Sequence, residues 1–330
     1  MELQQSLLAL IISFVISATM GPLLIPLLKR MKFGQVIREE GPKSHQKKAG
    51  TPTMGGFIFM LSTILTLLIM VVFFGVEFNE YLKITIFVFV SYGLLGFADD
   101  FLKILKKDNE GLNKRQKFFG QILIAVVFYY LFQSSGFEPV LKIHTFNINI
   151  NMGWFYGVFI LFMLVGTSNA VNLSDGLDGL CAGLSIIAFV TYGLIAVRRS
   201  TDISEVLALG HFSFALVGGL LGFLIYNYNP AKVFMGDVGA LSLGGALATI
   251  AILTRHELTL IIVGSVFVIE TLSVIIQVIS FKTTGRRVFL MSPIHHHFEL
   301  LGWEEKQIVR LFWIVGLISS LLALLFGVWS

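Results

Sequence analysis

Two adjacent carboxylates follow an apolar segment of this sequence. The stretch GLLGFADDFLKILKK (93–107) comes after Ile84–Val90, which contains no charged residue, and it places Asp99 and Asp100 side by side before several lysines. An ionised carboxylate near an apolar phase is costly, so such residues usually face a polar cavity or a partner. Neighbours on a helix point about 100° apart. We therefore expect one aspartate to face an ion or substrate and the other to orient a neighbour.

Three further segments carry acids or histidines. Asp175 and Asp178 lie in NAVNLSDGLDGL (169–180), Asp237 lies in NYNPAKVFMGDVGA (227–240), and PIHHHFE (293–299) contains three consecutive histidines. Carboxylate and amide oxygens suit a hard cation such as Mg²⁺ or Mn²⁺. Consecutive histidines point in different directions and make a poor chelate for one metal ion. The alternative for Asp175 and Asp178 is a helix cap followed by an acid of the first helical turn.

Two basic segments could bind phosphate. SHQKKAGTPTMGG (44–56) and GLNKRQK (111–117) combine glycine with lysine just before apolar runs. Lysines and exposed backbone N–H groups at the start of a helix can hold a phosphate. Together with Mg²⁺ they fit a site for phosphoryl transfer. Neither segment matches a Walker A pattern, so the sequence gives no support for a P-loop ATPase.

The composition predicts that the elements holding these residues are membrane-spanning helices. The chain has 330 residues, of which 55% are hydrophobic and 13% charged, and its single cysteine excludes an internal disulfide. A spanning helix needs about 20 mostly apolar residues. This predicts an all-α integral membrane protein that forms one domain over residues 1–330. Its ten spans are 3–28, 54–75, 82–98, 118–134, 153–171, 180–197, 206–226, 239–254, 258–280 and 308–328.

The basic residues predict the orientation. Only five of the 24 Lys and Arg residues fall on the side of the even-numbered loops: Lys83, Lys142, Arg198, Arg199 and Arg255. Positive charge marks the cytoplasmic side, so both termini should lie outside and the acids and histidines should face the cytoplasm. In the outer loop between helices 4 and 5, VLKIHTFNININ (140–151) alternates apolar and polar residues, which predicts a short β-hairpin.

The motifs SHQKKAGTPTMGG, GFADD, NAVNLSDGLDGL, NPAKVFMGD and PIHHHFE occur in this order with this number of spans between them. The set resembles the phospho-N-acetylmuramoyl-pentapeptide transferase family of the polyprenyl-phosphate sugar-1-phosphate transferase superfamily. The resemblance implies a Mg²⁺-dependent reaction of UDP-MurNAc-pentapeptide with undecaprenyl phosphate, which gives lipid I and UMP in the first membrane step of peptidoglycan synthesis. It further implies a multi-pass protein of the bacterial inner membrane with a cytoplasmic active site. A homodimer is implied and a nucleic-acid partner is not.

The resemblance also assigns residues. It makes Asp237 the metal ligand, and Asp99 and Asp100 the catalytic pair, with Asp99 as the base or the group that positions the phosphate. The histidines match a catalytic motif that acts at the phosphates or shapes the pocket: His295, His296 and His297. The remaining matches are substrate-binding residues: Lys48, Lys117, Asn169, Asn172, Asp175, Gly176, Leu177, Asp178, Asn227 and Phe234. The resemblance leaves open direct attack by the lipid phosphate and a two-step route through a phospho-enzyme.

Other interpretations remain at this point. Lys48 and Lys117 could serve only the charge bias of the inner loops, and Phe234 could be a packing residue. Glu270 and His211 lie within predicted spans, where a hydrogen bond between helices is as good an explanation as a functional role. A transporter is an alternative function, but it should place its polar residues near the midplane on repeated, broken helices. Another alternative is a transferase of N-acetylglucosamine phosphate onto the same lipid, against which the histidine triplet argues.

Overall fold

A computed structural model describes residues 2–31, 48, 50–106, 111–146 and 148–327. Residues 44–47 of the basic segment before the second span lie outside the described residues. The helices are α1 (Glu2–Arg30), α2 (Gly56–Phe74), α3 (Glu80–Lys106), α4 (Lys114–Ser134), α5 (Phe155–Leu173), α6 (Leu180–Arg199), α7 (Leu207–Asn227), α8 (Gly236–Leu253), α9 (Thr259–Val263), α10 (Ser265–Thr284), α11 (Ile294–Leu300) and α12 (Glu305–Gly327). Strands β1 (Val140–Ile143) and β2 (Ile148–Asn151) lie between α4 and α5.

Ten helices of the described chain are long and apolar enough to cross a membrane, namely α1–α8, α10 and α12. This agrees with the prediction of a helical, multi-pass membrane protein with ten spans. The predicted hairpin is also present: β1 and β2 are antiparallel, with Val140 opposite Asn151 and Ile143 opposite Ile148. The ninth predicted span, 258–280, is in fact interrupted at Gly264, where α9 ends and α10 begins.

Several helices extend further than their apolar runs predict. Helix α3 continues to Lys106, so Asp99 and Asp100 lie about two turns before its end. Helix α8 begins at Gly236, which places Asp237 in its first turn rather than in a loop. Hydropathy locates only the apolar core of a span, whereas the helix continues for as long as its backbone hydrogen bonds do. Asp99, Asp100 and Asp237 are consequently held on helices.

Close helix packing brings the acids together. In α3, Gly96 lies against α8 so tightly that a Cβ atom on it would be 2.1 Å from the carbonyl oxygen of Asp237. A residue without a side chain is therefore needed for α3 and α8 to approach one turn away from Asp99 and Asp100.

Helix α7 runs parallel to α1, and the Ser6 hydroxyl lies 3.0 Å from Nδ1 of His211. His211 thus makes the hydrogen bond between helices that was one of its two interpretations.

The hairpin lies at the end of the helices opposite the acids, above a buried polar cluster. Arg255 donates to the carbonyl of Val140 over 3.3 Å, and the ring of His144 stacks on that of His256 with centroids 4.0 Å apart. Glu257 accepts a hydrogen bond from the Tyr156 hydroxyl. Burial raises the pKa of Glu257 to about 7, although the Tyr156 hydrogen bond acts in the other direction. The connection between α8 and α9 therefore anchors the hairpin.

Candidate active site at the carboxylate cluster

Three carboxylates meet where the C-terminal part of α3 faces the start of α8. Asp99, Asp100 and Asp237 each have an oxygen that lies within 4.8 Å of the oxygens of the other two. Asp99 and Asp100 are each only 3% exposed. The expectation that the helical angle would turn one of the pair away is not supported, because both side chains reach the same small space. We call these three residues the carboxylate cluster.

Two lysines contact the carboxylate cluster. Lys103 Nζ lies 2.6 Å from Asp99, 3.4 Å from Asp100 and 3.2 Å from Asp237, and Lys117 Nζ lies 2.7 Å from Asp237. Three carboxylates against two ammonium groups leave a formal charge of −1, if all five groups are ionised. Buried like charges repel strongly unless cations offset them. The site is thus arranged to hold positive charge between α3 and α8.

Backbone donors fix the orientation of the α3 carboxylates. The Leu112 N–H donates to Asp99 Oδ1 over 3.0 Å, and the Val238 N–H donates to Asp100 Oδ2 over 3.3 Å. Gly236 has a positive φ of 73°, and a Cβ there would lie 2.4 Å from Asp100 Oδ2. Glycine is required at this position both for the backbone conformation and for the approach of α8 to Asp100. These contacts fix the directions in which Asp99 and Asp100 point.

The donor set fits a hard divalent cation. It consists of carboxylate oxygens, and Asn172 adds an amide close by. In the amide orientation that satisfies both neighbours, Asn172 donates to Asp237 Oδ1 and accepts from Lys117 Nζ, each over 3.1 Å. Magnesium and manganese prefer such oxygen ligands, whereas zinc prefers sulfur and nitrogen. The cluster could therefore hold a divalent cation between the three carboxylates that the Lys103 ammonium group contacts.

The turn between α5 and α6 lies beside the carboxylate cluster. The backbone of Gly236, the residue before Asp237, lies close enough to Asp175 to act on its pKa, which it lowers. Burial and the negative charges of Asp237 and Asp178 raise the pKa of Asp175 to about 7. Neither Asp175 nor Asp178 lies within α6, which begins at Leu180 after Gly179. The interpretation as a cap and a first-turn acid does not hold for this helix.

Asp178 joins a polar network instead. Lys48 Nζ lies 2.7 Å from Asp178 and 2.6 Å from Glu305, the first residue of α12. Asn229 donates to both acids, over 3.2 Å to Asp178 and 2.8 Å to Glu305. Burial alone would lower the pKa of Lys48, but the carboxylates of Glu305 and Asp178 outweigh it and raise that pKa. Sequence reasoning predicted Lys48 and Asp178 but missed Glu305 and Asn229.

Two of the other predicted substrate-binding residues near this turn make contacts with the backbone. Asn227 accepts from the Gly179 N–H over 3.1 Å and donates to the Val233 carbonyl over 3.0 Å, so it ties the turn to the connection between α7 and α8. Phe234 is partly buried, and its N–H donates to the Pro52 carbonyl over 2.8 Å. Leu177 is buried. The structure thus places these residues around one turn.

The three histidines lie in helix α11 and contact different partners. His295 is fully buried and its Nδ1 lies 3.1 Å from Glu270 of α10, whereas His296 Nδ1 lies 2.7 Å from Glu299. His297 Nδ1 accepts from the Leu290 N–H over 3.2 Å. The prediction that they do not converge on one metal ion agrees with these contacts. Glu270, which the sequence left undecided, proves to be the partner of His295.

His295 is the histidine that lies against the turn between α5 and α6. A Cβ on Gly176 would lie 2.2 Å from His295 Nε2, so this ring lies directly against the turn. Among the described residues, Nε2 of His295 and Oε1 of Glu270 have no hydrogen-bond partner although both are buried.

Asn169 lies elsewhere: its amide donates to Gln121 over 3.1 Å and to the Val165 carbonyl over 2.8 Å. The contact with Gln121 joins α5 to α4, and that with Val165 lies within α5.

Comparison with known proteins shows which family this chain is similar to. A profile described as Glycosyl transferase family 4 matches residues 82–255, which include the carboxylate cluster and the turn between α5 and α6. Proteins similar over the full chain come from several bacteria, and each is named phospho-N-acetylmuramoyl-pentapeptide-transferase. One from Geobacillus sp. (strain WCH70) is 55% identical over 328 residues, which cover 99% of this chain and 99% of that protein.

Two further relatives have the same name. The protein of Oceanobacillus iheyensis is 55% identical over 322 residues, covering 98% of each chain. That of Bacillus subtilis (strain 168) is 52% identical over 327 residues, covering 99% of each chain. The matched regions extend over nearly the whole of each chain.

Proposed function

This chain belongs to the phospho-N-acetylmuramoyl-pentapeptide transferases, and we propose that it performs this reaction at the carboxylate cluster. It is a membrane transferase that moves phospho-MurNAc-pentapeptide from its UDP carrier to a polyprenyl phosphate, a step of peptidoglycan synthesis. The observation that carries the proposed site is the meeting of Asp99, Asp100 and Asp237 within 4.8 Å beside Lys103 and Lys117. The names of the relatives favour this reaction over an N-acetylglucosamine-phosphate transferase or a transporter.

The proposed substrates approach the cluster from two phases. UDP-MurNAc-pentapeptide is soluble and enters from the cytoplasm, whereas the lipid, undecaprenyl phosphate, stays in the bilayer with its phosphate at the interface. The concentration of basic residues in the loops at the cluster's end of the helices supports a cytoplasmic position for the cluster, with both termini and the hairpin outside. We further propose that residues 1–330 act as one domain in the bacterial inner membrane and that the protein is a homodimer.

The cluster is also the proposed magnesium site. Asp237 would be the principal ligand, with Asp99 and Asp100 supplying further carboxylate oxygens from α3. When bound there, Mg²⁺ supplies charge neutralisation for the pyrophosphate and for the departing UMP. The hard oxygen donors and the negative charge that remains beside Lys103 and Lys117 support this assignment.

In the proposed reaction, an oxygen of the lipid phosphate attacks the β-phosphorus of the UDP-sugar. A new P–O bond forms, the bond between the β-phosphorus and the bridging oxygen breaks, and UMP leaves with that oxygen and its electron pair. Asp99 positions the lipid phosphate or accepts its proton, and Lys117 offsets charge on the phosphates. The turn from Asp175 to Asp178, with Phe234 and Asn227, holds the uridine, while His295 lies against its backbone.

The test is release of UMP by the purified protein from UDP-MurNAc-pentapeptide and undecaprenyl phosphate. We expect release to require both substrates and Mg²⁺ and to fall at least about 100-fold in Asp99→Asn and Asp237→Asn. Asp202→Asn, in an exposed turn at the other end of the helices, is the matched control and should keep wild-type turnover. Near-normal release by both cluster variants would refute the proposed site. Labelled phospho-sugar trapped on the protein would instead indicate the two-step route.

A further inference from the structure

Glu305 is a charged residue beside the predicted substrate-binding residues Lys48 and Asp178, and no sequence motif identified it. It begins α12, the last helix, far along the chain from the other residues of the pocket. Its Oε1 accepts from Lys48 Nζ over 2.6 Å and from the Asp178 N–H over 2.6 Å, and its Oε2 accepts from Asn229 over 2.8 Å. One carboxylate therefore joins α12 to three separate segments.

Two acids share Lys48. Asp178 accepts from Lys48 over 2.7 Å, and it also accepts from Asn229 and from the Ala231 N–H. A lysine ammonium has three N–H donors, and Asp178 and Glu305 account for two of them. Paired only with Asp178, the flexible Lys48 side chain could swing about a single contact. The second acid fixes the ammonium in one place, and its contact with the Asp178 N–H fixes the turn at the same time.

The three charged side chains are largely shielded from solvent. The side chains of Lys48 and Glu305 are 18% and 15% exposed, whereas that of Asp178 is 2% exposed. Charge-assisted hydrogen bonds are roughly twice as strong as neutral ones and strengthen as solvent is excluded. Glu305 thus ties Lys48 and the backbone of the turn to the last helix through contacts that are largely shielded from solvent.

We propose that Glu305 is a positioning residue for the nucleotide, which holds Lys48 and the Asp175–Asp178 turn in the arrangement that receives the UDP part of the substrate. This inference rests on the proposed function, because the turn is the proposed uridine site. Glu305 acts through Lys48 and Asp178 and does not itself contact the reacting phosphates. Its loss should weaken nucleotide binding equally in the ground state and the transition state, which raises KM and leaves kcat nearly unchanged.

The test compares three variants of the full-length protein. Glu305→Gln removes the charge at nearly constant size, and Glu305→Asp keeps the charge but shortens its reach. Glu304→Gln is the matched control, because Glu304 is the exposed neighbour at the same end of α12. For Glu305→Gln we expect KM for UDP-MurNAc-pentapeptide and Kd for UMP to rise about tenfold. The kcat and the Mg²⁺ concentration for half-maximal rate should stay within about threefold, and Glu305→Asp should be intermediate.

A double variant separates positioning from general stability. Because Glu305 acts partly through Lys48, adding Glu305→Gln to Lys48→Met should raise KM by clearly less than the product of the two single effects. Independent, additive effects would overturn the inference, as would a Glu305→Gln protein with the KM and Kd of the Glu304→Gln control. A fall in kcat and thermal stability at constant KM would also overturn it. Absence of UMP release by the wild-type protein would instead refute the proposed function.

Discussion

The Nζ atom of Lys103 on α3 lies 3.2 Å from Oδ2 of Asp237 on α8. The same ammonium group contacts Asp99 and Asp100, so it neutralises the cluster that we propose to hold a metal ion. Removing one partner of a buried ion pair leaves an uncompensated charge. The stability of this region should therefore depend on Lys103 when Mg²⁺ is absent and much less when it is present.

This relationship gives a prediction for Lys103→Met. In EDTA its thermal midpoint should fall by on the order of 5 °C, because three carboxylates then face each other with one lysine fewer. Saturating Mg²⁺ should restore most of this loss, so the Mg²⁺-induced shift should exceed that of the wild type. Lys106→Met is the control, because within the described part of the chain Lys106 donates to the backbone carbonyl of Gly111 and not to a carboxylate of the cluster. Equal Mg²⁺ shifts in all three proteins would contradict the prediction.

Close packing of α3 on α8 predicts a strong effect of Gly96→Ala. Its methyl group would lie 2.1 Å from the Asp237 carbonyl oxygen, so the helices must separate or shift. We expect destabilisation of about 1–3 kcal/mol and a loss of UMP release of about 100-fold, because the carboxylates would move apart. Gly166→Ala in α5 is the matched control, since outside the adjacent turns of its own helix no described atom lies within 4 Å of the added methyl. Wild-type turnover in Gly96→Ala would show that the helix spacing is unimportant.

Glu257 predicts a pH dependence of stability. Its pKa is raised from 4.5 to about 7 in the folded protein, so the folded state binds the proton more tightly than the unfolded state does. The stability contributed by protonated Glu257 is fully present below pH 4.5 and is lost as the pH rises towards 7. Glu257→Gln, which mimics the protonated form, should therefore gain stability over the wild type between pH 5 and pH 8, by up to about 3 kcal/mol.

The measurement is the difference in thermal midpoint between wild type and Glu257→Gln across that range. His144 and His256 lie nearby, and burial lowers the pKa of both, that of His256 to about 3. Their contribution runs in the opposite direction, since stability is lost as the pH falls through the unfolded histidine value. Both histidines are present in both proteins, so the difference isolates Glu257. A constant difference from pH 5 to pH 8 would show that this carboxyl does not titrate there.

Glu270 should affect catalysis through His295. Its carboxylate lies 3.1 Å from Nδ1 of His295, and such a partner fixes the tautomer and the direction of Nε2. Glu270→Leu should lower kcat about tenfold or more, because the ring is then free to turn away from Gly176. Glu270→Gln keeps an acceptor for the Nδ1 proton and should retain more activity than Glu270→Leu. If the two variants are equally active, Glu270 does not orient this histidine for the reaction.

The sequence predicted the helices and the polar residues of the site for a physical reason. Long apolar runs specify spanning helices, and acids at their ends are too costly to lie there without a role, which identified Asp99, Asp100 and Asp237. The alternation in residues 140–151 likewise predicted the hairpin. These signals are local, so a single chain segment is enough to reveal them.

The residues that the sequence missed depend on contacts between distant segments. Lys103 counted only as one of many inner basic residues, although it contacts all three carboxylates. Glu305 and Asn229 gain their roles from Lys48 and Asp178, which lie far away in the chain. The break at Gly264 was also missed, because it occurs within an apolar run that hydropathy reads as continuous. Side-chain contacts between distant segments depend on how the helices pack, and the spacing of residues within one segment does not reveal them.

The central claim is that α3 and α8 bring three carboxylates together around one divalent cation, and Mn²⁺ binding followed by electron paramagnetic resonance tests it most directly. Manganese prefers the same oxygen ligands as Mg²⁺ and is visible to this method. We predict one bound Mn²⁺ per chain in the purified wild-type protein and in Asp202→Asn, competed by Mg²⁺, and binding at least about tenfold weaker in Asp99→Asn and Asp237→Asn. Unchanged Mn²⁺ affinity in both cluster variants would contradict the account.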